Sequence, residues 1–177
     1  MIDPVSLQMV RDIVTIFGVI AGFTYYVMTV RNQSKARKTQ LLMQLRQSQM
    51  DLEWMKSNME LLETDWSTYD EFREKYDSTV NPDNYALRNR LWQYYDGIGY
   101  LLHENLIDLD SVYHLLGDFN PVIHWRKWKP IIEENRKRYD RPYHAIWFEY
   151  LANEFRKMRV KRNLSEYETD ADGWIKT

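Results

Sequence analysis

From Ile13 to Val30 the chain reads IVTIFGVIAGFTYYVMTV, a run without a single charge. As a helix, eighteen residues span about 27 Å, against a bilayer hydrocarbon core of ~30 Å. Met9 and Val10 complete the span if Arg11 and Asp12 sit at its outer boundary, where they can snorkel or pair. Lipid offers the backbone no hydrogen-bond partners, so a lone segment of this kind must be helical. One competitor is the buried helix of a soluble protein, but uncharged runs of this length usually cross a membrane. The other is a cleaved signal peptide, which wants a basic start, a shorter apolar core and a small-residue cleavage site. The chain instead starts Met-Ile-Asp-Pro, and its run closes on Tyr-Tyr-Val-Met-Thr-Val. The expectation is an uncleaved anchor.

Its flanks set an orientation. Residues 31 to 50 carry Arg31, Lys35, Arg37, Lys38 and Arg46 and no acid, whereas residues 1 to 12 carry Asp3, Asp12 and Arg11. Lys and Arg beside a span favour the cytoplasmic side. The expected topology is a cell-membrane protein with its N-terminus outside and its C-terminal domain in the cytoplasm. The same bases can attract anionic headgroups, at about 1 kcal/mol each near the surface. The absence of cysteine suits a reducing compartment. Two N-x-S matches, at Asn32 and Asn163, would both face the cytoplasm.

The rest of the chain suffices for one domain. Between Phe23 and Asp96 the only glycine or proline is Pro82, and apolar residues recur every three or four positions, so the reading is all-α. The anchor helix is expected to continue inward. Leu41, Leu45, Ser48, Leu52, Met55, Met59, Leu62, Trp66 and Tyr69 form a heptad seam, which suggests a coiled coil. Leu42, Trp54 and Leu61 lie off that seam and widen the stripe, which favours packing on the same chain. Asn81 and Pro82 read as cap and first residue of a helix to about Glu104, burying Leu87, Leu91, Tyr95, Ile98 and Leu102. Gly97 and Gly99 interrupt it, as a kink or a place where another helix comes close. Asp108 or Asp110 starts a short helix that Gly117 ends. Asn120-Pro121 repeats the cap-and-proline signal, Pro130 should kink or restart the following helix, and the last helix runs from about Tyr143 to Val160. The expected division is a transmembrane anchor over 1–30, a long juxtamembrane helix packing on the domain over 31–80, and a bundle-like helical domain over 81–162. An acidic, poorly ordered tail follows over 163–177.

The run DGIGYLLHENLIDLDSVYHLLGDFNPVIHWRKWKPIIEENRKRY, with FEYLANEF after it, resembles a widespread family of small prokaryotic proteins catalogued as a domain of unknown function. The carrying features are Tyr95 to Leu102, the Leu-Ile-Asp-Leu-Asp-Ser-Val-Tyr helix start, Trp125, Lys129 to Ile132, and Phe148 to Leu151. The resemblance covers roughly residues 5 to 160. It implies a cytosolic helical domain on a single membrane anchor and supplies no activity.

The chemistry-bearing residues form no known catalytic pattern. His103, His114, His124 and His144 make no H-E-x-x-H arrangement, and without cysteine the usual zinc spacings are absent. Asp108 and Asp110 lack the Gly and final Glu of a calcium loop. No phosphate-cradling loop or nucleophile elbow occurs. No enzyme activity, metal or cofactor is expected. The charge map says more: residues 51 to 118 hold fifteen acids and five bases, residues 119 to 164 five acids and twelve bases. Either the halves fold against each other and neutralise, or the second half presents a basic face. Arg126, Lys127 and Lys129 would then join Arg31, Lys35, Arg37 and Lys38 at an anionic surface, and reversing those three to Glu should leave the helices folded. Trp125 and Trp128 fit core anchors better than base-stacking platforms, and nucleic acid is not an expected partner. Gly18 and Gly22 form a G-x-x-x-G that can bring two membrane helices together. The reading is a single-pass, membrane-tethered helical interaction module, self-associating through the anchor. The alternative is an accessory subunit of a larger membrane complex.

Overall fold

Asn81 accepts the Asn84 N–H at 3.0 Å, and Pro82 is the first residue of the helix behind it, as the cap-and-proline reading requires. The computed structural model describes residues 4–117 and 121–164, with side chains from residue 8. The described residues are all-α and form seven helices: α1 (Pro4–Gln49), α2 (Leu52–Glu63), α3 (Tyr69–Tyr76), α4 (Pro82–His103), α5 (Leu109–Leu116), α6 (Pro121–Arg138) and α7 (Ile146–Lys161). The chain divides into two compact units, the first ending at Leu41 and the second beginning at Leu42.

The stretch expected as one long helix over 31–80 is instead the end of α1 followed by α2 and α3. Asp51 makes the break. It adopts extended backbone and its carboxylate accepts the Glu53 N–H, capping a new helix. The new axis resets the phase of the apolar stripe. Trp54, Asn58, Leu61 and Leu62 are buried, while Leu52, Met55 and Met59 of the heptad seam are exposed. The continuous seam is therefore lost: of its members in α2 only Leu62 is buried, and Trp54 and Leu61, which lie off it, carry the packing with it. Trp54 meets Tyr94 edge-on at 4.9 Å. A second break at Thr64–Thr68 ends in a reciprocal cap: Thr68 accepts the Glu71 N–H, and the Glu71 carboxylate accepts the Ser67 N–H.

The core of the second unit lies where α4, α6 and α7 meet. Tyr95 stacks on Phe148 at 4.9 Å, Trp125 meets Phe148 at 5.2 Å, and Trp92 meets Trp128 at 5.7 Å. Leu91, Ile98, Ile131, Ile132 and Leu151 fill in between and are all buried, whereas Leu87 is only half-buried. α2 and α3 cover α4, and α5 covers α7. Asp108 caps α5 by accepting the Ser111 N–H at 2.7 Å, and Gly117 ends that helix at φ 51°, where a side chain would be strained.

Two residues of α4 fix how α7 lies against it. A Cβ on Gly99 would stand 1.9 Å from the Trp147 carbonyl oxygen, so only glycine lets the helices approach this closely. Gly97 has open space instead. Asp96 supplies the cap that α7 lacks locally. Ala145, at φ 54°, offers no side-chain bond, and the Asp96 carboxylate accepts the N–H groups of Trp147 at 2.9 Å and Phe148 at 3.0 Å. This anion sits where the helix dipole is positive. The arrangement explains why α7 starts at Ile146 rather than Tyr143. α6 runs through Pro130 without restarting. Asn120, expected to cap α6, lies outside the described residues, as do residues 165–177 of the expected acidic tail.

Candidate functional site

α1 carries the apolar run, and among the described residues it is the one helix long and apolar enough to cross a membrane. Every residue from Gln8 to Tyr26 is exposed, and Val27 and Thr29 are half-exposed. Two of the run's hydroxyls are answered within the helix: Thr15 donates to the Arg11 carbonyl and Thr24 to the Ile20 carbonyl, each at 2.8 Å. Arg11 and Asp12 pair at 3.4 Å. Tyr25 and Tyr26, exposed near the end of the run, are of the amphipathic type found at bilayer interfaces. Gly18 and Gly22 have nothing within 4 Å of a built Cβ. Arg31, Lys35 and Arg37 are exposed, and Lys38 is half-buried.

The second basic cluster does not form one face. Arg126 and Lys129 are exposed, but Lys127 is only 4 % exposed. Its ammonium donates to the Thr64 carbonyl and lies 4.8 Å from the centre of the Trp66 ring. Lys127 thus leaves the set of surface bases, because its position falls four residues before Ile131 on the buried stripe of α6. The other bases are largely spent on acids. Lys129 pairs with Glu133 at 3.7 Å, Arg136 with Glu149 at 2.7 Å and Lys157 with Glu154 at 2.7 Å. Arg138 to Asp70 and Arg162 to Asp110 join the basic segment to the acidic one, at 3.5 and 2.6 Å. Trp125 and Trp128 are both buried.

Sequence reasoning missed a cavity of about 240 Å³ between α3, α4, the end of α6 and the turn before α7. Its innermost cation is Arg88, 4 % exposed. Arg88 Nη1 donates to the Tyr76 carbonyl at 2.5 Å and to Asn84 Oδ1 at 2.9 Å, and the guanidinium lies 4.9 and 4.8 Å from the Phe72 and Tyr85 ring centres. Burial pushes Arg88 down to about 10, which leaves it protonated at neutral pH. No carboxylate pairs with it among the described residues. Asp77, the one acid lining the cavity, accepts from Arg73 Nε at 3.1 Å. That bond holds the Asp77 carboxyl below its usual range. On another wall Tyr69 donates to Asn135 Oδ1 at 2.7 Å, and burial pushes its phenol up to about 12. A signal for Arg88 existed: it precedes Leu91 by three and Trp92 by four, so it lies on the apolar stripe of α4.

A family model described as a domain of unknown function, DUF4760, matches residues 12–155. The chain belongs to the DUF4760 family. The DUF4760 match begins at Asp12, one residue before the apolar run, and ends within α7, so it takes in both the whole run and every residue that lines the cavity. No curated protein and no solved structure matches this chain.

The histidines of this DUF4760 chain do not converge, and among the described residues no three His, Asp or Glu side chains gather as metal ligands. His103 contacts Glu104 at 3.1 Å on the surface, and His114 lies on α5. His124 is 2 % exposed, and burial together with the nearby Lys127 charge pushes it down to about 3. It is neutral at physiological pH. His144, on the cavity wall, is also shifted downward, by burial and then by Arg136 and Arg141.

Proposed function

We propose that this DUF4760 chain is a single-pass, membrane-tethered helical interaction module, with its N-terminus outside and residues 42–164 in the cytoplasm. The observation that carries this reading is the apolar helix with no protein cover: Phe17, Val19, Phe23 and Tyr25 are each more than two-thirds exposed. Water makes such a surface costly at roughly 25 cal/mol per Å², and lipid removes that cost. The basic flank of Arg31, Lys35 and Arg37 supports the orientation and would meet anionic headgroups. Protease added outside intact cells should leave residues 31–177 uncut while membrane washing leaves the chain in the pellet. Cleavage of the helical domain from outside would sink the orientation, and release by washing would sink the tether.

Self-association through Gly18 and Gly22 is part of the same reading, since both glycines lie open on α1. In mild detergent the purified chain should measure as a homo-oligomer. Gly18→Ile with Gly22→Ile should weaken that association by about 1 kcal/mol or more, scaled to modest intramembrane contacts. An unchanged mass distribution in the double variant would remove the glycine face from the account. Foreign subunits that co-purify at fixed ratio would favour an accessory subunit, with the same helix packed on a partner's.

A further inference from the structure

The cavity beside α3 and α4 holds a charge imbalance that the tether reading does not use. Its lining brings three guanidiniums, of Arg73, Arg88 and Arg141, against the single carboxylate of Asp77. Two positive charges are left over. Arg73 and Asp77 satisfy each other, so the surplus belongs to Arg88 and Arg141. Arg88 is buried with only neutral acceptors on it, and a buried ion without a counter-charge is expensive to keep. Arg141 is exposed, and no carboxylate pairs with it among the described residues. A ligand that repays this must carry two negative charges close together, because the space is only about 240 Å³. Phosphomonoesters carry ≈ −1.5 to −2 at pH 7 in one compact group, and the guanidinium fork matches phosphate oxygens. The walls add Tyr85 and Tyr139, exposed rings suited to stacking on a ligand ring. The volume falls below the 300–1,000 Å³ range of ordinary ligand pockets, so the ring is single.

We propose that this cavity binds a small aromatic phosphomonoester, its phosphate held by Arg88 and Arg141 and its ring laid against the aromatic walls. The asparagines Asn89 and Asn135 stand on the same lining as neutral partners for further oxygens. The site is distinct from the apolar helix, and its test does not depend on how the chain is anchored. Phenyl phosphate is titrated calorimetrically into the detergent-solubilised full chain, beside phenyl sulfate of the same shape with one charge fewer, phthalate, and inorganic phosphate. Phenyl phosphate should bind roughly tenfold or more tighter than each of the others, the scale of one charge-assisted contact. Arg141→Gln, at an exposed position, should weaken it by a similar factor at unchanged melting temperature. Asp77→Asn should tighten it severalfold, by removing the one acid, a gain that misfolding does not produce. Equal affinity for the sulfate and the phosphate, no binding at millimolar phenyl phosphate, or an Arg141→Gln variant that binds like the parent would overturn the proposal.

Discussion

Lys127→Glu is expected to cost ~3–5 kcal/mol of domain stability, the range for leaving a buried charge without its partner. Lys127 sits at 4 % exposure with its ammonium on the Thr64 carbonyl and over the Trp66 ring. A carboxylate there faces a carbonyl oxygen and the negative face of an indole, and both repel it. Arg126→Glu and Lys129→Glu, at exposed positions on the same helix, should each stay within about 0.5 kcal/mol. Urea unfolding of the three variants compares them directly. A Lys127→Glu variant as stable as its neighbours would mean that this lysine reaches water. Reversing all three bases therefore confounds loss of surface charge with loss of fold, and a test of anionic contact has to be confined to Arg126 and Lys129.

Trp128→Ala is expected to lose ~3–5 kcal/mol, the cost of emptying a large core site. The side chain is fully buried and touches aromatic rings from three segments: Trp66 at 5.0 Å, Trp92 at 5.7 Å and Phe72 at 6.2 Å. Its indole N–H has no partner among the described residues. Trp128→Phe keeps much of the volume and removes that orphan donor, so it should cost less than half as much as alanine. Denaturant midpoints decide the matter. Equal losses for alanine and phenylalanine would show that the indole N–H does have a partner, such as a buried water.

Local signals were legible and long-range ones were not. Asn81-Pro82, Asp108 and Gly117 act on neighbours within four residues, so sequence alone marks those helix ends. The apolar run is legible for the same reason, since its meaning lies in its own composition. Asp51 and Thr68 carry equally local caps, but a heptad pattern running across them hides the breaks. Lys127 is expected at the surface and Arg88 draws no expectation at all, because their partners, Thr64 in the break after α2 and Tyr76 at the end of α3, lie outside their own helices. Their placement on apolar stripes was the available clue. Nothing local announces the cavity, which draws on residues from Tyr69 to His144.

The borrowed cap of α7 bears on how the chain is made. Asp96 and the amides it accepts are 51 and 52 residues apart. At about 5–20 residues per second, a ribosome releases α4 several seconds before the first turn of α7. During that interval the notch at Gly99 and the Asp96 carboxylate stay uncovered, while α6 has already emerged to shield the Trp92 and Tyr95 side of α4. The newborn domain is thus left open along one seam, and α7 is the piece that closes it. A nascent chain stopped before Ile146 would keep most of its aromatic core and still expose the surface on which Phe148, Leu151 and Phe155 belong.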